Sequence, residues 1–184
     1  MSANRRLILI TGLPGSGKTS VADMLREKGY TIFTMGDVIR QEVRMRNLPP
    51  TPENLGKMAE EIRKTGGETA VAQRCIPLII GEPSDKVAVD GTRSLDEVNT
   101  FREAFDVILI AIHSSPETRY QRLKNRGRSD DPPNKQIFRE RDNRELSFGV
   151  GNAVAMSNYV IQNEDTVADL EKELDRLLWR IREQ

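Results

Sequence analysis

An α/β fold, with a five-stranded parallel sheet and helices on both faces, is the expectation for this chain, and three observations carry it. Five short apolar runs recur along the 184 residues, and segments of helical periodicity separate them. The first run, at 7–10, is continuously apolar rather than alternating, as in a strand buried on both faces of a parallel sheet. Gly12, Gly36, Gly91 and His113 each fall just after a run. This puts the ligand crevice at the carboxyl ends of the strands, where open α/β sheets bind.

The elements follow in order. Residues 7–11 form a strand. From 19 to 28 the apolar positions Val21, Ala22 and Leu25 have helical spacing, and Gly29 stands where a helix stops. Residues 30–34 are a second strand, and a helix is expected over 37–46. The sequence Pro49-Pro50-Thr51-Pro52 breaks the chain, with Thr51 as cap and Pro52 at the first helical position, where no donor is wasted. That helix runs to about 64 and ends at Gly66 and Gly67. Another follows over 68–80, and Pro77 is expected to kink or end it. Residues 86–90 are a third strand. Ser94 and Glu97 make a capping box before a helix to about 105. Residues 107–112 are a fourth strand. Ser115-Pro116 opens a helix to 126, 128–134 is a loop, and a helix covers 135–146. Gly149 and Gly151 precede a short helix. Residues 159–162 are the fifth strand. The closing helix, 167–182, is amphipathic, with Leu170, Leu174, Leu177, Leu178 and Ile181 on one face. The whole of 1–184 reads as one domain. Three of the four connections between strands look longer than one crossover helix needs. The surpluses at 41–80 and 127–157 are natural candidates for segments that close over a site.

Composition narrows the function classes. Hydrophobic residues are 37% and charged residues 30%, a globular balance. Twenty-eight basic residues meet 28 acidic ones, so no polyanion such as duplex DNA is expected as the main partner. No RNA-stacking signature appears among the aromatics. The single cysteine, Cys75, forms no internal disulfide, and the single histidine, His113, builds no zinc site with it. The apolar run at 7–10 is too short for a signal peptide or a membrane span, so a cytoplasmic protein with no membrane partner is expected. Monomer and homo-oligomer are both compatible with these features. Cys75 and Trp179 read as packing residues, and His113 as a structural or loop residue.

One motif carries most of the chemistry. Gly12, Leu13, Pro14, Gly15, Ser16, Gly17, Lys18 and Thr19 satisfy the P-loop pattern between an expected strand and an expected helix. The glycines let backbone N–H groups turn towards phosphates, and the helix N-terminus adds its positive dipole end. Gly12, Pro14, Gly15, Ser16, Gly17, Lys18, Thr19 and Ser20 are therefore candidates for binding ATP. Lys18 would reach the terminal phosphates, and the Thr19 hydroxyl would ligate Mg²⁺. Asp90 ends an apolar strand, a position from which an acid assists the metal or orients an acceptor. Asp37 follows the second strand and either caps the helix or serves as general base. Arg40, one turn beyond, and Arg93 are candidates to hold an acceptor phosphate.

Further along, Arg119, Arg122 and Arg126 share a helix face at i, i+3 and i+7, with Arg128 beyond the helix exit. Like charges so placed repel by a few tenths of a kcal/mol per pair, which an anionic ligand would relieve. Glu117 and Asp130 are the alternative acid partners. Arg122 and Arg126 are the favoured anion-binding pair, Arg122 also for adenine. Arg139, Arg141 and Arg144 interleave with Glu140, Asp142 and Glu145, as on a solvated helix, with one or two of them as candidate lid arginines. The guanine-reading Asn-Lys-x-Asp pattern is absent, since residue 137 is Ile137.

These residues resemble the P-loop nucleoside monophosphate kinase superfamily over nearly the whole chain. The glycine loop looks like its phosphate loop. Gly36-Asp37-Val38-Ile39-Arg40 resembles the adenylate kinase segment whose arginine holds the acceptor phosphate, and Asp90-Gly91-Thr92-Arg93 resembles its Asp-Gly-Phe-Pro-Arg segment, one residue shorter. Arg122 and Arg126 match the paired arginines that open the lid. Residues 115–119 and 155–163 are similar to dephospho-coenzyme A kinase, and the mixture is similar to a group of archaeal predicted kinases related to both. The resemblance implies an ATP- and Mg²⁺-dependent phosphotransferase on a small acceptor of the dephospho-coenzyme A or nucleoside monophosphate type. In this reading 41–80 binds acceptor, 127–157 is the lid, and Lys18, Asp37, Asp90, Arg122 and Arg126 carry catalysis. A regulatory nucleotide-binding ATPase that transfers nothing, and an RNA-linked ATPase, are the alternatives.

Overall fold

A computed structural model describes residues 5–127 and 131–183. In chain order the elements are β1 (Arg6–Thr11), α1 (Lys18–Glu27), β2 (Thr31–Thr34), α2 (Met35–Met45), α3 (Pro52–Gly66), α4 (Ala70–Ile80), β3 (Val87–Asp90), α5 (Leu95–Arg102), β4 (Asp106–His113), α6 (Pro116–Arg126), α7 (Lys135–Ser147), α8 (Val150–Ala155), β5 (Tyr159–Gln162) and α9 (Val167–Arg182). The strands form one sheet in the order β2-β3-β1-β4-β5, and every pairing is parallel.

Alternation along the strands sorts the core into two layers. Leu7, Leu9, Val87, Val89, Val107 and Leu109 face one side, where α2, α3, α4 and α5 supply Val43, Ile62, Cys75 and Phe101. Ile8, Ile10, Ala88, Ile108, Ile110 and Ile161 face the other, covered by Leu25 of α1 and by Leu170, Leu174, Leu177, Leu178 and Ile181 of α9. The apolar stripe read along 167–182 is thus the buried face of α9.

Register brings the strand ends together. Asp90 pairs with Ile10 of β1 on one side and Thr34 of β2 on the other. β1 and β4 are neighbours, yet the chain leaves them in opposite directions, towards β2 and towards β5. Such a switch point opens a crevice beyond the carboxyl ends.

Three local expectations are corrected. Only two connections carry more than one helix among the described residues: α2, α3 and α4 between β2 and β3, and α6, α7 and α8 between β4 and β5. The β3–β4 connection needs α5 alone. Asp37 does not cap α2. The helix starts at Met35, and the Thr34 hydroxyl caps it by accepting from the Asp37 N–H at 3.1 Å. Pro77 does not end α4, which continues to Ile80 with Val71, Ala72, Cys75 and Ile79 buried on both sides of the proline. Their burial outweighs the backbone hydrogen bond that Pro77 forfeits.

The segment after α6 has two parts. α8 lies against β1, β4 and α5, with Val150 and Ala153 buried. α7 packs further out, through Phe138 against Tyr120 of α6, with ring centroids 5.5 Å apart. Arg128 and Asp130 lie outside the described residues. No helix among the described residues is long and apolar enough to cross a membrane.

Candidate active site

The glycine loop occupies the switch point, and close packing there demands glycine. Gly12 has φ 145°, and a Cβ on it would lie 2.3 Å from the Ile112 carbonyl oxygen at the end of β4. Gly17 is the N-cap of α1 with φ 106°, and a Cβ there would lie 2.2 Å from Asn163 Nδ2. No first-turn acid neutralises the α1 N-terminus, which leaves its dipole end available to an anion.

Side chains from distant elements hold the loop. Asn163, just past β5, donates from Nδ2 to the Ser16 carbonyl at 2.8 Å, and its backbone N–H donates to the His113 carbonyl at 2.7 Å. The Ser114 hydroxyl donates to the Asn163 carbonyl and sits 3.2 Å from the Ser16 carbonyl. Arg122 donates to the Ser114 hydroxyl and the Asn163 carbonyl, both at 3.0 Å, and reaches Asn163 Oδ1 at 3.3 Å. Glu164 accepts from the Thr118 hydroxyl at 2.6 Å and from the Ser115 N–H. These bonds hold its carboxyl below the usual range.

Lys18 curls onto the loop, donating to the Gly12 carbonyl at 2.7 Å and the Leu13 carbonyl at 3.2 Å. Burial lowers its pKa from 10.5 to about 8, against the opposing pull of Asp90 and Glu145; the Arg93 and Arg141 charges add to the lowering. Asp90 is shifted upward by burial, and Lys18 resists the shift. Lys18, Asp90 and Arg93 therefore share one electrostatic environment. Asp90 Oδ1, Ser16 Oγ and Thr92 Oγ1 are buried with no protein hydrogen-bond partner. Buried polar atoms are rarely left unpaired, so each of the three calls for a polar partner.

Those oxygens fit Mg²⁺ in kind. The ion takes hard oxygen ligands, binds through one or two protein groups and keeps waters and substrate phosphates for the rest. Asp90 and the Thr19 hydroxyl, at the second residue of α1, are the protein's candidates. No cluster of three or more His, Cys, Asp and Glu residues suited to a metal occurs among the described residues.

The other side of the crevice is looser. Arg40 folds back on its own helix and pairs with Asp37 at 2.7 Å, both side chains exposed. Arg93 Nε lies 3.4 Å from Glu145 Oε2 of α7. The guanidinium groups of Arg63 and Arg93 stand 5.7 and 5.9 Å from the Phe148 ring centroid. Glu97, buried, accepts from the Arg93 N–H at 2.7 Å and lies 3.9 Å from Arg63. Burial pushes its carboxyl up, and the Arg93 N–H bond opposes this.

The arginines of α6 do not form one anion-binding face. Arg119 is buried and paired with Asp142 of α7 at 2.6 Å. Arg122 is committed to the 163–165 turn, and Arg126 pairs with Asp131. Protein oxygens relieve the repulsion that the sequence pattern implied. Glu117 pairs with Lys135 at 2.8 Å instead of with an arginine.

Sequence reasoning missed Ser114, Asn163, Glu164 and Arg63. The first three follow strands β4 and β5, so the carboxyl-end rule that singled out Gly12 and Asp90 would have found them. Arg63 carries no such signal; one turn of α3 before Gly67 points it at Glu97 and Phe148.

Comparison with known proteins fits this geometry. A family described as an AAA domain matches residues 11–137. A UPF0200 protein of Hyperthermus butylicus is 42% identical over 179 residues, covering 97% of this chain and 96% of that protein. This chain belongs to the UPF0200 family. Among solved structures, a shikimate kinase from Acinetobacter baumannii in complex with shikimate is similar, with TM-score 0.61, 15% identity, and 99% of this chain and 97% of that one covered. A gluconokinase from Sinorhizobium meliloti 1021 is similar with TM-score 0.58, 17% identity, and 97% and 96% covered. At these identities the likeness concerns the fold alone: a five-stranded parallel sheet flanked by helices.

Proposed function

We propose that this UPF0200 protein is an ATP- and Mg²⁺-dependent phosphotransferase acting on a small anionic acceptor, of the dephospho-coenzyme A or nucleoside monophosphate type. The observation that carries the reading is the unpartnered buried oxygen of Asp90 in the electrostatic environment of Lys18 and Arg93. The likeness in fold to kinases of small hydroxy acids supports it.

The loop and Lys18 hold the donor phosphates, and Mg²⁺, when bound, would supply neutralising charge at the transferring group. Asp90 and Thr19 hold that ion. Arg40 and Arg93 bind the acceptor's anionic group. Where the acceptor nucleophile is a hydroxyl, Asp37 takes its proton. Arg122 frames the donor nucleotide from the 163–165 turn, and Arg126, with Arg141 of α7, brings positive charge from the lid side. Positioning and charge supply the rate, because phosphoryl transfer asks little covalent chemistry of the protein. Closure of α7, within the 127–157 lid region, over the crevice excludes water, which otherwise competes as acceptor. Residues 41–80 supply the acceptor wall.

The test is ADP and phosphorylated-product formation across a panel of dephospho-coenzyme A, nucleoside monophosphates and small hydroxy acids, with ATP and Mg²⁺. ADP release that no acceptor raises above background hydrolysis would sink the transfer reading. The regulatory ATPase reading draws on one observation: Arg40 and Arg93 each already face a carboxylate, Asp37 and Glu145. It expects tight nucleotide binding with no acceptor turnover in the same panel.

A further inference from the structure

Arg119 shares a helix face with Arg122 and Arg126, and the fold gives it work inside the protein. Its side chain is 3% exposed and touches three separate parts of the molecule. Nε donates to the Ser114 carbonyl at 3.2 Å, at the exit of β4. One Nη1–H donates to the Pro14 carbonyl of the phosphate loop at 3.2 Å. The remaining contacts grip Asp142 of α7 with both tines, Nη1 to Oδ1 at 2.8 Å and Nη2 to Oδ2 at 2.6 Å. The Phe138 ring of α7 lies 5.0 Å from the guanidinium carbon. The backbone of Arg119 also bears on the loop: a Cβ on Gly15 would lie 2.8 Å from its carbonyl oxygen.

α7 carries a second acid one turn on. Asp142 and Glu145 are at i and i+3, so they share a helix face. Asp142 meets Arg119 at the phosphate loop, and Glu145 meets Arg93 on the acceptor side. The chain of contacts Pro14, Arg119, Asp142, Glu145, Arg93 therefore crosses the crevice through a single helix.

We infer that Arg119 is a positioning residue for the phosphate loop, and that through Asp142 it ties nucleotide occupancy to the placement of α7 and so to Arg93. The inference rests on the reading of the loop as the nucleotide site and of Arg93 as the acceptor site. Both arms of Arg119 are fixed in a buried, bidentate geometry, where a shift of the loop is felt by the partner rather than absorbed by solvent. A planar fork suits this role, and a lysine, as a point charge, would hold one partner at a time. Neither Arg119 nor Asp142 needs to touch the nucleotide for its removal to change nucleotide binding.

The experiment is hydrogen exchange of the full chain with and without ATP and Mg²⁺, on the wild type, Asp142→Asn and Arg119→Lys, with ATP affinity measured by calorimetry. In the wild type ATP is expected to slow exchange both in the loop, 12–18, and in α7, 135–147. In Asp142→Asn, which keeps the shape of the side chain, the loop should still respond and α7 should not. Its ATP affinity should fall by about 2-fold to 30-fold, the range of residues that carry coupling without contacting ligand. Arg119→Lys should lie between the two. A merely structural ion pair would lower the melting temperature while leaving the ATP response of α7 intact, and that outcome overturns the inference. So does a wild type in which the loop responds to ATP and α7 does not. A wild-type loop that does not respond at all overturns the nucleotide reading together with the coupling built on it.

Discussion

Ser16 and Asp37 each stand just beyond an apolar strand of the same sheet, yet their surroundings differ sharply. Ser16 is 1% exposed, its carbonyl accepts from Asn163 Nδ2, and its hydroxyl has no partner. Asp37 is largely exposed and bonded mainly to Arg40, three residues along its own helix. The phosphate side of the crevice is held by contacts from β4, β5 and α6, with polar atoms left over for an occupant. On the acceptor side the Arg40–Asp37 pair is short-range and exposed, and such a pair contributes little to stability and rearranges at little cost. A site for an invariant triphosphate gains from being preformed, since preorganised groups need not move at the moment of reaction. Surface pairs that can exchange partners suit an acceptor that must enter and leave.

The sharpest break in that contrast comes from the phosphate side. Lys18→Ala is expected to lower phosphoryl transfer by about 10³-fold or more, the scale of losing a preorganised charge at the reacting group. Single-turnover measurement of product checks it, and a rate within tenfold of wild type would contradict the assigned role. The next largest effect falls on the scaffold. Asn163→Ala removes the donor to the Ser16 carbonyl and the Oδ1 acceptor of Arg122. With those buried groups left unpaired, a loss of about 1–3 kcal/mol in unfolding free energy is expected by urea denaturation. ATP affinity should weaken with it.

How far such partners could be read in advance depends on chain separation. β5 and α9 emerge with the bounds read from the sequence, because a short apolar run and a stripe at Leu170, Leu174, Leu177, Leu178 and Ile181 are local patterns. The capping box at Ser94 and Glu97 is local too, and Glu97 also accepts from the Arg93 N–H. The P-loop is legible for the same reason: its chemistry lies within eight consecutive residues. What holds it is not legible. Asn163 is 147 residues from Ser16, and Asp142 is 23 from Arg119. Spacing along α6 put Arg119 beside Arg122 and Arg126 correctly, but the choice between a ligand and a protein acid belongs to α7, whose own sequence looks like a solvated helix. Interleaved charges hide a buried pair, since only the fold decides which of Asp142 and Glu140 turns inward.

On the acceptor side the loss expected for Arg40 is in acceptor binding, not in stability. Arg40→Ala should raise the acceptor KM roughly 10-fold, consistent with losing one charge-assisted hydrogen bond. Its unfolding free energy should stay within about 0.5 kcal/mol of wild type, because the Asp37 pair is exposed. Steady-state kinetics beside denaturant curves separate the two effects. A destabilisation as large as that of Asn163→Ala would show that the two sides are built alike and remove the contrast.

The smallest effect separates the roles of Lys18 in folding and in binding, through pH. Burial has lowered its pKa from 10.5 to about 8, so the folded chain holds this proton less tightly than the unfolded one. The resulting penalty on folding is present below about pH 8 and fades as pH rises from there towards 10.5. The free protein should therefore gain stability from this group over that window. Nucleotide binding has the opposite sign. Triphosphate favours the charged ammonium, and above pH 8 the proton must be recovered on binding, so affinity falls by about 4-fold between pH 7 and 8.5. Calorimetric titration of ATP at the two pH values checks this, with Lys18→Ala as the reference that removes the dependence. Equal slopes in wild type and variant would mean that another group titrates, and that Lys18 does not meet the phosphates from its buried position on the Gly12 carbonyl.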